Sequence, residues 1–383
     1  MTLILNVTTR LYVKNTETPG SGFIATAVLG NFTVVNTTAD ITLDGDSRGT
    51  GFLGYMEQNG TGPWFEFASC GSDPCHKDEN HNMTFVNYTG RSDVVGQHGT
   101  GNVAGKVNYY AHVNLINITV MGMASASDRP VKDKEPRCEG IIIGHIFGAK
   151  TATMINVSVP QARVLSQQFN VGVQGLLMGA YGSITVVLKN WVVGYAERVF
   201  IQGYPISENG GIGTLFAYAQ NGYYEVKNIV MHTRYANKAG TVGSSNIPKV
   251  IGGICGLVDS ATLRITNVTM DFLSTYIINA GLIAGQQMAG GIIFISGVKS
   301  EGNKKYASSK TANLYRCVYD SGLMNLTITD YNTIPQTGVH LTGVHTFTCR
   351  YVWMLPFAQA SYNNIQTMIS PEQTANFACN DNT

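Results

Sequence analysis

Charge is what this 383-residue chain has least of: Asp, Glu, Lys and Arg together make up 13% of it, about half the usual share of roughly 25%. The 25 Lys and Arg nearly cancel the 24 Asp and Glu. That balance excludes the basic stripe demanded by nucleic acid or an anionic membrane surface. Prolines number 11, and the 43 glycines follow no Gly-X-Y period, which excludes collagen. No apolar run reaches about 18 residues unbroken, so a helical membrane span is not expected. The opening MTLILNVTTRLYV has no basic region, long apolar core or small-residue cleavage site. A secreted chain would therefore carry its leader outside this numbering. Candidate chemistry is equally sparse. Asp259, Asp271 and Asp320 recur at no fixed interval, the 8 His show no nucleophile–base arrangement, and no Gly-x-Ser-x-Gly elbow occurs. Catalytic and cofactor-binding residues are assigned to none, and no enzyme is expected.

What is present is glycine and asparagine spread through a chain that is 44% hydrophobic. Such a composition suggests many short strands joined by tight turns. A Gly-apolar-apolar-x-Gly opener recurs at Gly101, Gly140, Gly175, Gly252 and Gly281, with a degenerate copy at Gly211 and weaker ones at Gly22 and Gly51. Most openers precede an apolar-x-Asn-apolar-x-apolar hexamer: LINITV from Leu115, MINVSV from Met154, LKNWVV from Leu188, VKNIVM from Val226 and ITNVTM from Ile265. The last opener meets ISGVKS, with Gly297 at the Asn position, and LMNLTI from Leu323 is one further match. Glycine would supply positive φ or a close backbone approach. Apolar residues two apart would point inward. Asn, which tolerates the left-handed region, would turn a corner. Stacking then puts Asn117, Asn156, Asn190, Asn228 and Asn267 in one column, because a single unit cannot bury its own face.

This alternation resembles the GLUG-type repeats of large extracellular adhesins, and parallel β-helix coils more generally. The resemblance covers roughly residues 95 to 330. It implies an all-β fold, a right-handed parallel β-helix (solenoid) with irregular N- and C-terminal β segments; the alternative is a repetitive β-sandwich. The divisions are 1–95, an irregular segment whose residues 1–13 could act as a donor strand; 96–330, the repeat solenoid; and 331–383, a C-terminal cap.

Asn-X-Ser/Thr occurs ten times, at Asn6, Asn31, Asn36, Asn59, Asn82, Asn87, Asn117, Asn156, Asn267 and Asn325, and nine copies carry Thr. From 31 Asn and 59 Ser plus Thr, chance gives about five such motifs. The excess points to N-linked glycans as the only attached group, to secretion, and to a surface made soluble without charge. Four of the ten fall on the repeat Asn (Asn117, Asn156, Asn267 and Asn325), where a backbone role competes with glycosylation. The sites at Asn6, Asn31, Asn36, Asn59, Asn82 and Asn87 are read as lying outside the array.

CGSDPCHKDENH joins Cys70, Cys75, His76 and His81. Two thiolates and two imidazoles could hold zinc, but in a secreted chain a Cys70–Cys75 disulfide is favoured and no metal site is assigned. Of the 7 cysteines, Cys317 and Cys349 are a second candidate pair, closing a C-terminal clamp, and one thiol is left over. DGDSRG from Asp44 lacks a full calcium-ligand set. GTGNVAG from Gly99 has dinucleotide-loop spacing without the following helix. Tyr109-Tyr110 and Tyr223-Tyr224 could stack on sugar rings, or simply be strand residues. The function expected is a structural extracellular glycoprotein, self-assembling into a fibre or surface layer through β-edge or end-to-end contacts between copies. In character it is similar to glycan-coated extracellular filament proteins of microbial eukaryotes. A β-helix polysaccharide lyase or glycoside hydrolase, and a carbohydrate-binding adhesin, are the alternatives.

Overall fold

The computed structural model describes residues 1–15, 20–28, 30–45, 49–57, 81–96, 99–126, 138–165, 170–178, 184–202, 211–236 and 251–275. It also describes short strands at 280–281, 284–287, 292–300, 312–313, 316–317, 323–329, 340–341 and 344–349. Among these residues there is no helix, and the strands pair in parallel, nearly all in one continuous sheet. The architecture is all-β and solenoid-like.

Each turn of the coil has a long arm, bent in the middle, and then a very short strand and a strand of about five residues, which run together as Cys138–Phe147 and Asn170–Met178 in two turns. The arm Asn82–Gly96 alternates buried and outward residues along its length. It pairs with Phe32–Gly45 on one side and His112–Ala126 on the other. The same stacking continues from Thr2–Leu5 and Thr8–Asn15 at one end to Cys255–Thr275 and Ile292–Ser300 towards the other. Inward positions form columns: Ile4, Val34, Phe85, Leu115, Met154, Leu188, Val226 and Ile265 lie in register and are all buried. Each such side chain contributes about 1.5–3 kcal/mol by leaving water. No single turn could bury both faces of its own row, which is why the turns stack.

Large and small residues alternate within the coil. Gly90 sits where a side chain would collide with the amide of Asn102, and so leaves room for the buried Tyr88. The Tyr88 hydroxyl donates to Asn102 Oδ1 at 2.9 Å. The buried Trp191 donates its indole N–H to the Met154 carbonyl at 2.9 Å.

The stacking does not begin at residue 96. Strands from Thr2 onward share the register of the later ones, so the described residues among the first 95 hold turns of the same coil. The openers are corrected at two places. Gly140 stands beside Gly172, and Ile143 beside Gln174, so Gly175 pairs with Gly144 rather than opening a turn. Gly213, not Gly211, lies in register with Gly252 and Gly281.

Candidate functional site

The arms bend at asparagine. Asn6, Asn36, Asn87, Asn117, Asn156, Asn190, Asn228 and Asn267 all have positive φ, between 50° and 58°, the left-handed region that Asn tolerates better than other side chains. Each amide after the first donates to the one before it. The Nδ2–Oδ1 distances run 3.1, 2.9, 3.0, 3.0, 3.0, 3.2 and 3.3 Å from Asn36→Asn6 to Asn267→Asn228. The result is one exposed ladder of eight amides. The five-membered column read from the repeats is present, and three more Asn extend it. Asn6, Asn36 and Asn87 belong to it, although their motifs read as lying outside the array. Asn325 does not belong: it pairs with Ile292, five places before Gly297, while Gly297 stands beside Asn267 as expected.

The residues around the ladder account for the glycosylation motif itself. The position after Asn points inward and is buried: Thr37, Tyr88, Ile118, Val157, Trp191, Ile229 and Val268. The next position faces outward in one column, running Thr8, Thr38, Thr89, Thr119, Ser158, Val192, Val230 and Thr269. An outward strand position favours a β-branched side chain, and beside water Thr serves as well as Val. Asn-apolar-Thr is therefore what a corner followed by in-then-out strand looks like. Six of the ten motifs, at Asn6, Asn36, Asn87, Asn117, Asn156 and Asn267, arise this way.

The remaining motifs differ. Asn31 Oδ1 accepts the Asn82 backbone N–H at 2.6 Å, so these two share a second column at the start of the arms. Asn59 lies outside the described residues, as do Cys70, Cys75 and His76. His81 is described, and its carbonyl accepts from the Ala111 N–H at 2.9 Å. Cys317 stands opposite Leu341 and Cys349 opposite Ile328, on different strand pairs. Among the described residues no disulfide is present, and no group of three metal-ligating side chains. Cys138 and Cys255 are buried thiols, and burial pushes the Cys255 thiol well up, away from the reactive thiolate. Asp44 stands beside Lys14 in a strand pair. Asp259 accepts from Tyr218 and from Gln220, each at 2.9 Å. Tyr110 and Tyr224 are buried, so one member of each tyrosine pair faces the core and not a ligand. No helix among the described residues is long and apolar enough to cross a membrane.

The first described turn is paired along one edge only. Thr2–Leu5 and Thr8–Asn15 pair with Phe32–Gly45 along one edge, and among the described residues nothing pairs with the other. Met1, Leu3, Leu5 and Tyr12 are exposed there, at 87%, 52%, 49% and 72%. Asn6 accepts from Asn36 but donates to no described residue. No family model, curated protein or solved structure matches this chain.

Proposed function

We propose that this chain is a structural subunit, an extracellular right-handed β-helix that extends by stacking of copies end to end. The observation that carries the reading is the first described turn. Among the described residues its outer backbone edge has no partner strand and its ladder amide donates to nothing, and its large apolar side chains face water. Exposed strand edges of this kind template pairing with a further chain unless charge, proline or a bulge blunts them; Thr2–Leu5 carries no charge, and the two charges of this edge, Arg10 and Lys14, lie on Thr8–Asn15. The right-handed sense follows from the chirality of parallel crossovers. Glycans sit on motifs outside the ladder, at Asn59, at Asn325 and on one of the stacked pair Asn31 and Asn82. Ladder amides are about 4.8 Å apart in successive turns, too close for sugars on every rung.

Sedimentation of the full chain over a range of concentrations tests this. Polymers growing with concentration are the expected result, and they should vanish in a Leu3→Lys, Leu5→Lys variant whose far-ultraviolet circular dichroism is unchanged. A chain that stays monomeric at all concentrations contradicts the proposal. Site-by-site mass measurement on secreted material should find Asn117 and Asn156 unmodified; full occupancy there contradicts the placement of glycans.

A further inference from the structure

Beyond the ladder, on the second half of each arm, the outward residues form two columns that no structural role absorbs. One runs Tyr12, Thr42, Asp93, Met123, Arg163, Phe200 and Arg234 across seven turns in register. The other begins Arg10, Asp40, Arg91. Together they line an open groove of about 1220 Å³ that follows the coil axis. At about 4.8 Å per turn, the run from Tyr12 to Arg234 is roughly 30 Å long.

Its chemistry is selective. Arg10, Arg91, Arg163, Arg198 and Arg234 line it, five of the chain's eleven arginines. Three acids, Asp40, Asp93 and Glu197, are interleaved with the five arginines, which leaves the groove with a net charge of +2. Asp40 holds Arg10 at 3.2 Å. Arg163 and Arg234 have only Phe200 between them, with guanidinium carbons 5.6 and 5.9 Å from its ring centre. Stacking on a ring leaves the guanidinium edges free to grip a carboxylate in bidentate fashion. Tyr12 adds an exposed aromatic face at the other end.

The geometry points to this groove as a binding site for an extended acidic polysaccharide lying along the coil axis. Guanidinium forks meet its carboxylates, Asp40, Asp93 and Glu197 accept from its hydroxyls, and Tyr12 packs on a ring face. A single-stranded nucleic acid fits less well, because successive bases need a row of aromatic faces to stack on, and of the two aromatic side chains lining the groove, Phe200 is already held between Arg163 and Arg234. The inference is independent of end-to-end stacking, since every lining residue comes from one chain.

Calorimetric titration of the unassembled full chain with a galacturonic acid octamer provides the test. A cello-oligosaccharide of the same length and a single-stranded oligonucleotide serve as comparators. Saturable binding of the uronate that weakens with added salt is expected, with at least about tenfold loss in Arg163→Gln, Arg234→Gln, since each exchange removes a charge-assisted contact worth a factor of about ten. The folded state of that variant is checked by its thermal transition. No uronate binding, binding unchanged in the folded variant, or equal affinity for either comparator overturns the proposal.

Discussion

The coil turns at two kinds of corner, one built on asparagine and one on glycine, and they use opposite properties of the backbone. At the asparagine corner the chain takes positive φ, and the side chain bonds along the stack. At the glycine corner φ is ordinary, and the residue matters for what it leaves out. A Cβ on Gly101 would lie 2.6 Å from the Ile142 carbonyl oxygen and 2.8 Å from Ile143 Cα of the next turn. The asparagine corner runs within one continuous strand in most turns, with no insertion. The spacing between successive ladder amides varies from 30 to 51 residues, and the longest takes its extra length between Glu57 and Asn82, after the glycine corner at Gly51. One corner is a conformational site on the surface and the other a packing site in the interior. They should respond differently to the same kind of mutation.

Gly101→Val should show the largest effect. Its new side chain meets backbone, which no rotamer change can clear, so a loss of about 3 kcal/mol or more is expected in denaturant unfolding. An effect under about 1 kcal/mol would mean that the turns are not so closely stacked. The asparagine corner is divided by a pair of variants. Asn190→Ala removes two exposed amide bonds and places Cβ in the left-handed region without local support, for about 2 kcal/mol. Asn190→Gly removes the bonds but keeps the conformation, for about 1 kcal/mol. Equal losses in the two would show that φ is not what asparagine supplies. The smallest effect belongs to Thr119→Val, which destroys a glycosylation motif while keeping an outward β-branched residue, as Val192 and Val230 do in the same column. Its stability should stay within about 0.5 kcal/mol of the parent.

Much of this was legible in the residues. The apolar-x-Asn-apolar hexamers revealed the corner because Asn is one of few residues that bend a strand this way, and Ile118, Val157 and Val268 point inward as period two requires. The earlier turns were hidden by their variability. Asn36 is followed by Thr37 rather than an aliphatic residue, and the turn between Asn36 and Asn87 holds 51 residues. The glycine openers misled at Gly175 because a register shift between Gly140 and Ile143 shortens that turn by one residue. The motif excess was visible, but its cause was not. Only the register shows that the third position of six motifs is a single outward column. The groove left a faint trace, an Arg or Asp four residues after Asn6, Asn36 and Asn87, which carries meaning only once the turns are stacked.

The most direct test of the in-register stack is a pair of engineered cysteines at two motif positions 39 residues apart. Thr119 and Ser158 stand side by side on adjacent turns, within the Cα separation of about 4.4–6.8 Å that a disulfide spans, whereas Val192 is one turn further on. Mild oxidation of Thr119→Cys, Ser158→Cys followed by peptide mass measurement should yield the bridged peptide, and Thr119→Cys, Val192→Cys should not. A bridge in the second variant and none in the first would contradict the account.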